Sequence, residues 1–232
     1  MKTIIQILLA VAIGFLAYFC IMSVLTPINF DKEKKEREIL VIQRLIDIRI
    51  AEVEFRSQKQ VYTTDFTELL NFLKTGKKAS VIKEGVLSDS QLESGLTEEK
   101  AAQIVRLARE TGNDKDVIAK GLQNFSRDTI YLDLISTLYD DRYTTETIDE
   151  IKYIPYSEEK DTFVLEANNN YVNSTNFLIP LFQASCRYET YLSNLNRQEL
   201  LNEVDKQIKL EKFPGLMVGN VLEPNNNAGN WE

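Results

Sequence analysis

The feature that most constrains this chain is a run of 28 residues without a charged side chain, from Thr3 to Phe30. At about 1.5 Å of rise per helical residue, the apolar part from Ile4 to Leu25 covers roughly 33 Å. The hydrocarbon core of a bilayer is about 30 Å thick. The sequence therefore predicts a transmembrane anchor over residues 1–30, which contacts membrane lipid.

A cleaved secretory signal is the competing interpretation of this run. Such a signal has an apolar core of about 7 to 15 residues and small residues at its cleavage site. Ala10-Val11-Ala12 has the small-residue form, but the apolar run continues far beyond it. Cys20 is a poor lipidation site because Phe19, and not a small residue, precedes it. We therefore expect a retained anchor.

We expect the mature protein to keep Met1 or to begin within a residue or two of it. Intact-mass measurement of the membrane-extracted protein checks this expectation. Loss of about a dozen or more N-terminal residues would leave an apolar core too short to span the bilayer, and would contradict the anchor.

The charges that flank the anchor leave two orientations open. Lys2 and the α-amino group precede the run, whereas four cations follow it closely, namely Lys32, Lys34, Lys35 and Arg37. The positive-inside rule therefore favours a cytoplasmic domain. The family resemblance described below favours a domain outside the cytoplasm.

Composition excludes several classes of function. The net charge of −8, with the cations spread along the sequence, argues against a nucleic-acid partner. The lack of histidine removes the commonest general base and most transition-metal sites. The nine glycines build no phosphate-binding loop, so nucleotide binding has no support. We expect no cofactor and no metal site in this protein, and we do not expect an enzyme.

A group of acidic residues is the remaining candidate for catalysis, as the carboxylates of a hydrolase. The group consists of Asp128, Asp133, Asp140, Asp141, Glu146, Asp149 and Glu150. An acidic protein carries such a density on its solvated faces, and the spacing of a calcium-binding loop is missing. We therefore interpret the group as a surface feature. The asparagine triplets at 168–170 and 225–227 are interpreted as turns.

Residues 31–62 predict an amphipathic helix that continues the anchor. Apolar residues recur there at helical spacing, at Ile39, Ile42, Leu45, Ile46, Ile50, Ala51 and Val53. Charged residues fill much of the remaining surface, at Arg44, Asp47, Arg49, Glu52, Glu54 and Arg56. Pro27 lies where the two halves of the helix meet and predicts a bend.

Residues 63–232 predict one globular α+β domain. Capping residues and helical periodicity indicate helices over 66–73, 98–110, 114–122 and 197–210. The buried side of the second of these is expected to carry Ala101, Ile104, Val105, Leu107 and Ala108. β-Branched and aromatic residues indicate short antiparallel strands over 79–86, 129–134, 152–156, 162–166 and 177–184. The helices between residues 97 and 122 are interpreted as an insertion between strands, and the tail after residue 210 as irregular.

A membrane helix that continues past a proline into an amphipathic half, and then packs on an antiparallel sheet, resembles the architecture of type IV pilins and pseudopilins. The stretch from Asp47-Ile48-Arg49-Ile50-Ala51 through Tyr62 to Phe66-Thr67-Glu68-Leu69-Leu70 is similar to the region of those proteins where the helix ends and the globular part begins. The resemblance implies a pilin-like domain with inserted helices. The chain departs from the pilins in having no glutamate inside the anchor and no pilin-type processing site.

In sequence, the chain resembles a family of functionally unassigned, single-anchor envelope proteins of Bacteroidota over nearly its whole length. The segments that carry the resemblance are Asp47 to Ala51, Ser126 to Ile130, Lys152 to Tyr156, Phe213 to Gly219 and Asn227 to Glu232. The resemblance implies a bacterial inner-membrane protein with its domain in the periplasm. It carries over no catalytic residue.

The sequence therefore predicts a non-enzymatic assembly, scaffold or accessory subunit of a bacterial envelope complex, with other envelope proteins as partners. A cytoplasmic membrane-tethered adaptor and a carboxylate-dependent hydrolase are the alternatives. Trp231 is the candidate partner contact, because it is the only tryptophan and lies near the end of the sequence. A large apolar side chain in such a place either folds back onto its own domain or inserts into a partner.

Overall fold

The computed structural model describes residues 2–140 and 142–232. Its first element is one unbroken helix, α1, which runs from Lys2 to Lys59. This confirms that the segment after the anchor continues the same helix. The helix passes through Pro27 without interruption, and the bend expected there stays a prediction.

The N-terminal half of α1 is apolar and exposed. Its most apolar 18-residue window has a mean hydropathy of 2.6, and none of that window is buried. By length and composition, the helix can cross a membrane once. This half of α1 therefore fits a single transmembrane anchor.

The second half of α1 is the central element of a folded core. Its buried side chains follow one another every three or four residues, at Val41, Leu45, Ile48, Glu52 and Phe55. Residues at this spacing lie on one face of a helix. The face that packs is therefore a stripe in which one of the five positions is a glutamate.

The buried stripe differs in part from the one that the apolar pattern predicted. Leu45 is buried as expected, but Ile39 and Val53 are 66% and 45% exposed. Asp47, Glu52 and Glu54, which were expected among the solvated charged positions, are 0%, 0% and 9% exposed. The prediction was wrong at these three residues, because Glu52 lies within the buried stripe itself and other parts of the chain cover Asp47 and Glu54 as well.

The contacts divide the chain into two compact units. The first unit contains Met1–Leu73 and Asp141–Glu232, and the second contains Lys74–Asp140. The second unit is thus inserted in sequence into the first. Its residues belong to the range 63–232 that the sequence analysis assigned to a single globular domain.

The first unit contains a three-stranded antiparallel sheet. Its strands are β3 (Val164–Asn168), β4 (Leu181–Arg187) and β5 (Gly215–Gly219), in the order β3-β4-β5. Strands β4 and β5 contact α1, so the second half of the helix packs on the sheet. Strands β3 and β4 begin two and four residues later than expected.

Two predictions about strands in the first unit were wrong. Residues Ile148–Lys152 form a 3-10 helix, and of the strand expected over 152–156 only the isolated bridge between Tyr153 and Thr162 is formed. The tail expected to be irregular contains β5, which pairs with β4. The second outcome depends on pairing between distant segments, which local propensity does not report.

The two helices expected after residue 62 in the first unit are formed, and one short helix, α7, was not expected. Helix α2 spans Phe66–Thr75, and the side chain of Asp65 accepts a hydrogen bond from the backbone N–H of Thr67. Helix α7 is a single turn over Tyr188–Tyr191. Helix α8 spans Arg197–Lys209, and the Asn196 side chain caps it.

The second unit combines a two-stranded ribbon with short helices. Strands β1 (Lys77–Glu84) and β2 (Ser126–Asp133) pair antiparallel along their full length. The helices are α3 (Asp89–Glu93), α4 (Glu98–Thr111), α5 (Lys115–Ala119) and α6 (Leu134–Tyr139). A small apolar core is formed by Leu87, Leu96, Ala101, Ala108, Val117, Leu122 and Phe125.

Helix α4 begins and ends where its capping residues predict. The Thr97 side chain accepts a hydrogen bond from the backbone N–H of Lys100, and Gly112 ends the helix in a left-handed conformation with φ of 70°. The prediction for its buried side was wrong at one position. Leu107 is 58% exposed, because the core of this unit lies against Ala101 and Ala108.

Candidate functional site

The C-terminal tail is tied to the edge strand β5 by hydrogen bonds from Asn230. Its backbone N–H donates to the Met217 carbonyl at 3.0 Å, and its side-chain amide donates to the Gly215 carbonyl at 2.9 Å. Its side-chain oxygen accepts from the Met217 N–H at 3.1 Å. These bonds hold residue 231 beside the sheet.

Trp231, the candidate contact residue, is half-buried and lies over Gly229. A Cβ atom at Gly229 would stand 2.4 Å from Cζ2 of the indole, so only glycine lets the ring approach its own backbone so closely. The next residue, Glu232, forms an ion pair of 2.7 Å with Arg49 of α1. The tail thus contacts both the sheet and the long helix.

Trp231 lines an open cleft of about 470 Å³ on the surface of the first unit. The cleft is bordered by the tail, by β5, by α1, and by the α7–α8 region. The side chains around it include Lys34, Glu38, Tyr188, Glu203, Gln207, Lys212, Phe213, Met217 and Trp231. Aromatic and charged groups therefore line the same opening.

Lys34 is at the centre of the charges in this cleft. Its Nζ lies 2.9 Å from Glu203 Oε1 and 3.9 Å from Glu38 Oε1. It also lies 4.7 Å from the ring centroid of Tyr188, within the range of a cation–π contact. One cation from α1 thus links two carboxylates that come from α1 and from α8.

The two carboxylates have pKa values shifted in opposite directions. Burial raises the pKa of Glu38, although Lys34 and a hydrogen bond from Tyr191 oppose it. Burial acts in the same direction on Glu203, but hydrogen bonds from Lys34 and Gln207 outweigh it, and the pKa of Glu203 is lowered. Two neighbouring carboxyl groups with pKa values shifted in opposite directions are found in acid–base sites and also in structural ion pairs.

The acidic group singled out in the sequence is divided between the two units. Asp128 belongs to the second unit, where Arg109 donates to both of its carboxylate oxygens, at 2.7 and 2.9 Å. Asp133 and Asp140 also belong to that unit, whereas Glu146, Asp149 and Glu150 belong to the first. Asp141 lies outside the described residues. Within residues 2–140 and 142–232, no group of three or more acidic or cysteine side chains is placed to hold a metal ion.

The two asparagine triplets have different roles. Asn226 and Asn227 have positive φ values of 56° and 57°, which confirms a turn at 225–227. Asn168 is the last residue of β3. Asn169 makes a two-way contact with the backbone of Tyr62, accepting from its N–H and donating to its carbonyl, each at 2.9 Å. The two hydrogen bonds between Asn169 and Tyr62 join the segment after α1 to the sheet.

A buried polar network around Asp47 was missed by the sequence analysis. Arg142 contributes an ion pair of 2.9 Å to Oδ1, and the Tyr143 hydroxyl donates to Oδ2 at 2.6 Å. Gln43, one turn earlier on α1, donates to Oδ1 at 3.1 Å. An aspartate on the charged side of an amphipathic helix is ordinarily solvated, so no local signal distinguished this one.

Glu52 is a second buried carboxyl that the sequence analysis placed on the surface. Its Oε2 accepts a hydrogen bond from the Thr63 N–H at 3.3 Å. Its Oε1 is buried without a hydrogen-bond partner among the described residues. Burial, opposed by the Thr63 bond and reinforced by the nearby charge of Glu68, raises the pKa of Glu52 to about 8.

Comparisons with known proteins add no functional assignment to this site. No protein-family model, no curated protein and no solved structure matches the chain. The geometry of the first unit is that of a fold built around the C-terminal half of a helix able to span a membrane.

Proposed function

We propose that the protein is a non-enzymatic, membrane-anchored assembly or scaffold subunit of a bacterial envelope complex, with a pilin-like architecture. Its anchor lies in the inner membrane, its folded units lie in the periplasm, and other envelope proteins contact it through the Trp231 cleft.

The observation that carries this proposal is the difference in burial between the two halves of α1. Residues in the first half of the helix are exposed over the whole apolar window, whereas Val41, Leu45, Ile48 and Phe55 in the second half are buried in the first unit. A helix that is both anchor and core element fixes the folded unit rigidly to the bilayer. Such rigid attachment suits a subunit that presents surfaces to other membrane proteins.

The cleft at Trp231 supports the choice of partner contact. Trp231, Phe213 and Met217 are half-buried around it, so part of each apolar side chain faces solvent. Tryptophan, aromatic residues and methionine are enriched at the centres of protein interfaces. A partner that inserts an apolar side chain there would bury surface that the isolated chain leaves exposed.

The hydrolase alternative has one observation in its favour, the opposite pKa shifts of Glu38 and Glu203. Lys34 already pairs with both carboxylates. A cation held between two acids neutralises the charge that a catalytic base would use. The arrangement therefore supports a structural ion pair that joins α1 to α8, and we keep the non-enzymatic proposal.

Site-directed photo-crosslinking in native membranes tests the proposal. A photoreactive phenylalanine analogue at position 231 is expected to capture one or a few defined envelope proteins, because the side chain borders the cleft. The same analogue at Leu222 is the matched control, since Leu222 lies in the same tail and is 80% exposed.

The outcome also distinguishes the orientations. Capture of proteins with periplasmic domains supports the proposal, and capture of cytoplasmic proteins supports the tethered adaptor. Equal crosslinking from positions 231 and 222, or none from position 231, would contradict a partner contact at Trp231. The tail would then pack only on its own unit.

A further inference from the structure

We infer that an open cleft in the second unit binds an acidic, apolar segment of a protein partner. This inference rests on the proposed function and names the chemistry of one partner of the assembly subunit. It concerns a different surface from the Trp231 cleft, because all of its lining residues belong to the second unit.

The cleft has a volume of about 630 Å³ and lies between the α3–α4 loop and the outer face of α4. Its apolar part consists of Leu96, Ile104 and Leu107. Leu96 is buried and Ile104 is half-buried, whereas Leu107 is 58% exposed. An isolated exposed leucine is ordinary. Here, however, the exposed Leu107 and the half-buried Ile104 line the same cleft as Leu96, so part of its apolar lining is open to solvent.

The rim of the cleft is basic in an otherwise acidic chain. The lining includes three cations, Lys100, Arg106 and Lys120, and one carboxylate, Glu110. The chain as a whole has a net charge of −8. Arg106 and Glu110 are 3.9 Å apart with side chains 76% and 65% exposed, a geometry that contributes little. Lys100 makes a long hydrogen bond of 3.4 Å to the Gly95 carbonyl. The cations are therefore accessible to an incoming carboxylate.

The openness of the cleft favours a protein segment over a small molecule. Sites for small ligands typically bury about 70–90% of the ligand surface. Eight of the ten residues that line this cleft are exposed, so a bound group would keep one side outside it. A segment of a partner fits such a groove, because the remainder of the partner covers the outer side. Apolar side chains would contact Leu107 and Ile104, and carboxylates would pair with the rim.

The test uses the full-length protein in lipid nanodiscs with labelled isoleucine and leucine methyl groups, and three hexapeptides. One peptide alternates glutamate and leucine, and its counterparts carry lysine or glutamine in place of glutamate. We expect the acidic peptide to shift the methyl signals of Ile104 and Leu107, with an affinity at least about tenfold higher than that of the glutamine peptide. The lysine peptide is expected to leave these signals unchanged.

Two variants locate the effect. Lys120→Glu is expected to remove the preference for the acidic peptide, whereas Lys115→Glu makes the same charge change at an exposed position of α5 outside the cleft and is expected to retain it. Unchanged methyl signals of Leu87 and Leu122 in the core would show that both variants fold. Equal binding of the three peptides, no shift at Ile104 and Leu107, or equal loss in the two variants would overturn the inference.

Crosslinking from position 231 is independent of all three results, so failure of this inference is distinguishable from failure of the proposed function.

Discussion

Leu45→Asp is expected to destabilise the first unit by several kcal/mol. Leu45 is 0% exposed and lies at the centre of the buried stripe of α1, between Val41 and Ile48. The substitution removes a fully buried leucine, which contributes roughly 1.5–3 kcal/mol. It also buries a carboxylate without a partner, which costs several kcal/mol more or forces that group to be protonated.

The matched control is Ile39→Asp, which makes nearly the same chemical change on the same helix. Ile39 is 66% exposed, so its substitution is expected to stay within about 0.5 kcal/mol. Unfolding of the full-length protein in detergent micelles, followed by the emission of Trp231, measures both. Equal unfolding midpoints for the two variants would contradict the packing of α1 on the sheet.

The second large effect is expected at Glu52, whose burial makes the stability of the fold depend on pH. Burial raises the pKa of Glu52 to about 8 from its ordinary value of 4.5. The folded state therefore holds a proton that the unfolded state releases between these two values. The contribution of Glu52 to the free energy of unfolding is fully present below pH 4.5 and falls as the pH rises toward 8. Above pH 8 this contribution no longer changes with pH. The total change is about 5 kcal/mol at most, since a tenfold change in proton affinity corresponds to about 1.4 kcal/mol.

Glu52→Gln resembles the protonated acid in shape and cannot ionise. The variant is expected to unfold at nearly the same midpoint as the parent at pH 4.5 and at a clearly higher midpoint at pH 8.5. Glu36→Gln is the control, because Glu36 is an exposed carboxyl on the same helix. If the midpoints of the parent and of Glu52→Gln followed parallel curves over this pH range, Glu52 would not be the buried titrating group.

Local chemistry explains why several elements were predictable. The ends of α4 follow from the Thr97 side chain, which accepts from the Lys100 N–H, and from the left-handed Gly112. The first residues of α2 and α8 follow in the same way from Asp65 and Asn196. Caps and helical periodicity act within a few residues, so the sequence alone carries them.

Strand β5 could not be predicted from such local signals. Its end residues are glycines, which have low strand propensity, and the segment was expected to be irregular. A Cβ atom at Gly215 would lie 2.1 Å from the Cys186 carbonyl oxygen, and one at Gly219 would lie 2.2 Å from the Phe182 carbonyl oxygen. These glycines allow the close approach of β4, a requirement that is visible only once the two strands are paired.

The sequence by itself determined the apolar helix able to span a membrane, its continuation beyond the anchor, the mixed helix and sheet composition and the choice of Trp231 as a residue of interest. Tertiary structure alone decided which face of α1 packs, that Asp47 and Glu52 are buried, and that Trp231 shares a cleft with Lys34 and Glu203. The reason is physical. Hydropathy and capping are properties of neighbouring residues, whereas burial and the pairing of charges depend on segments that are separated in the chain, such as those that carry Lys34 and Glu203.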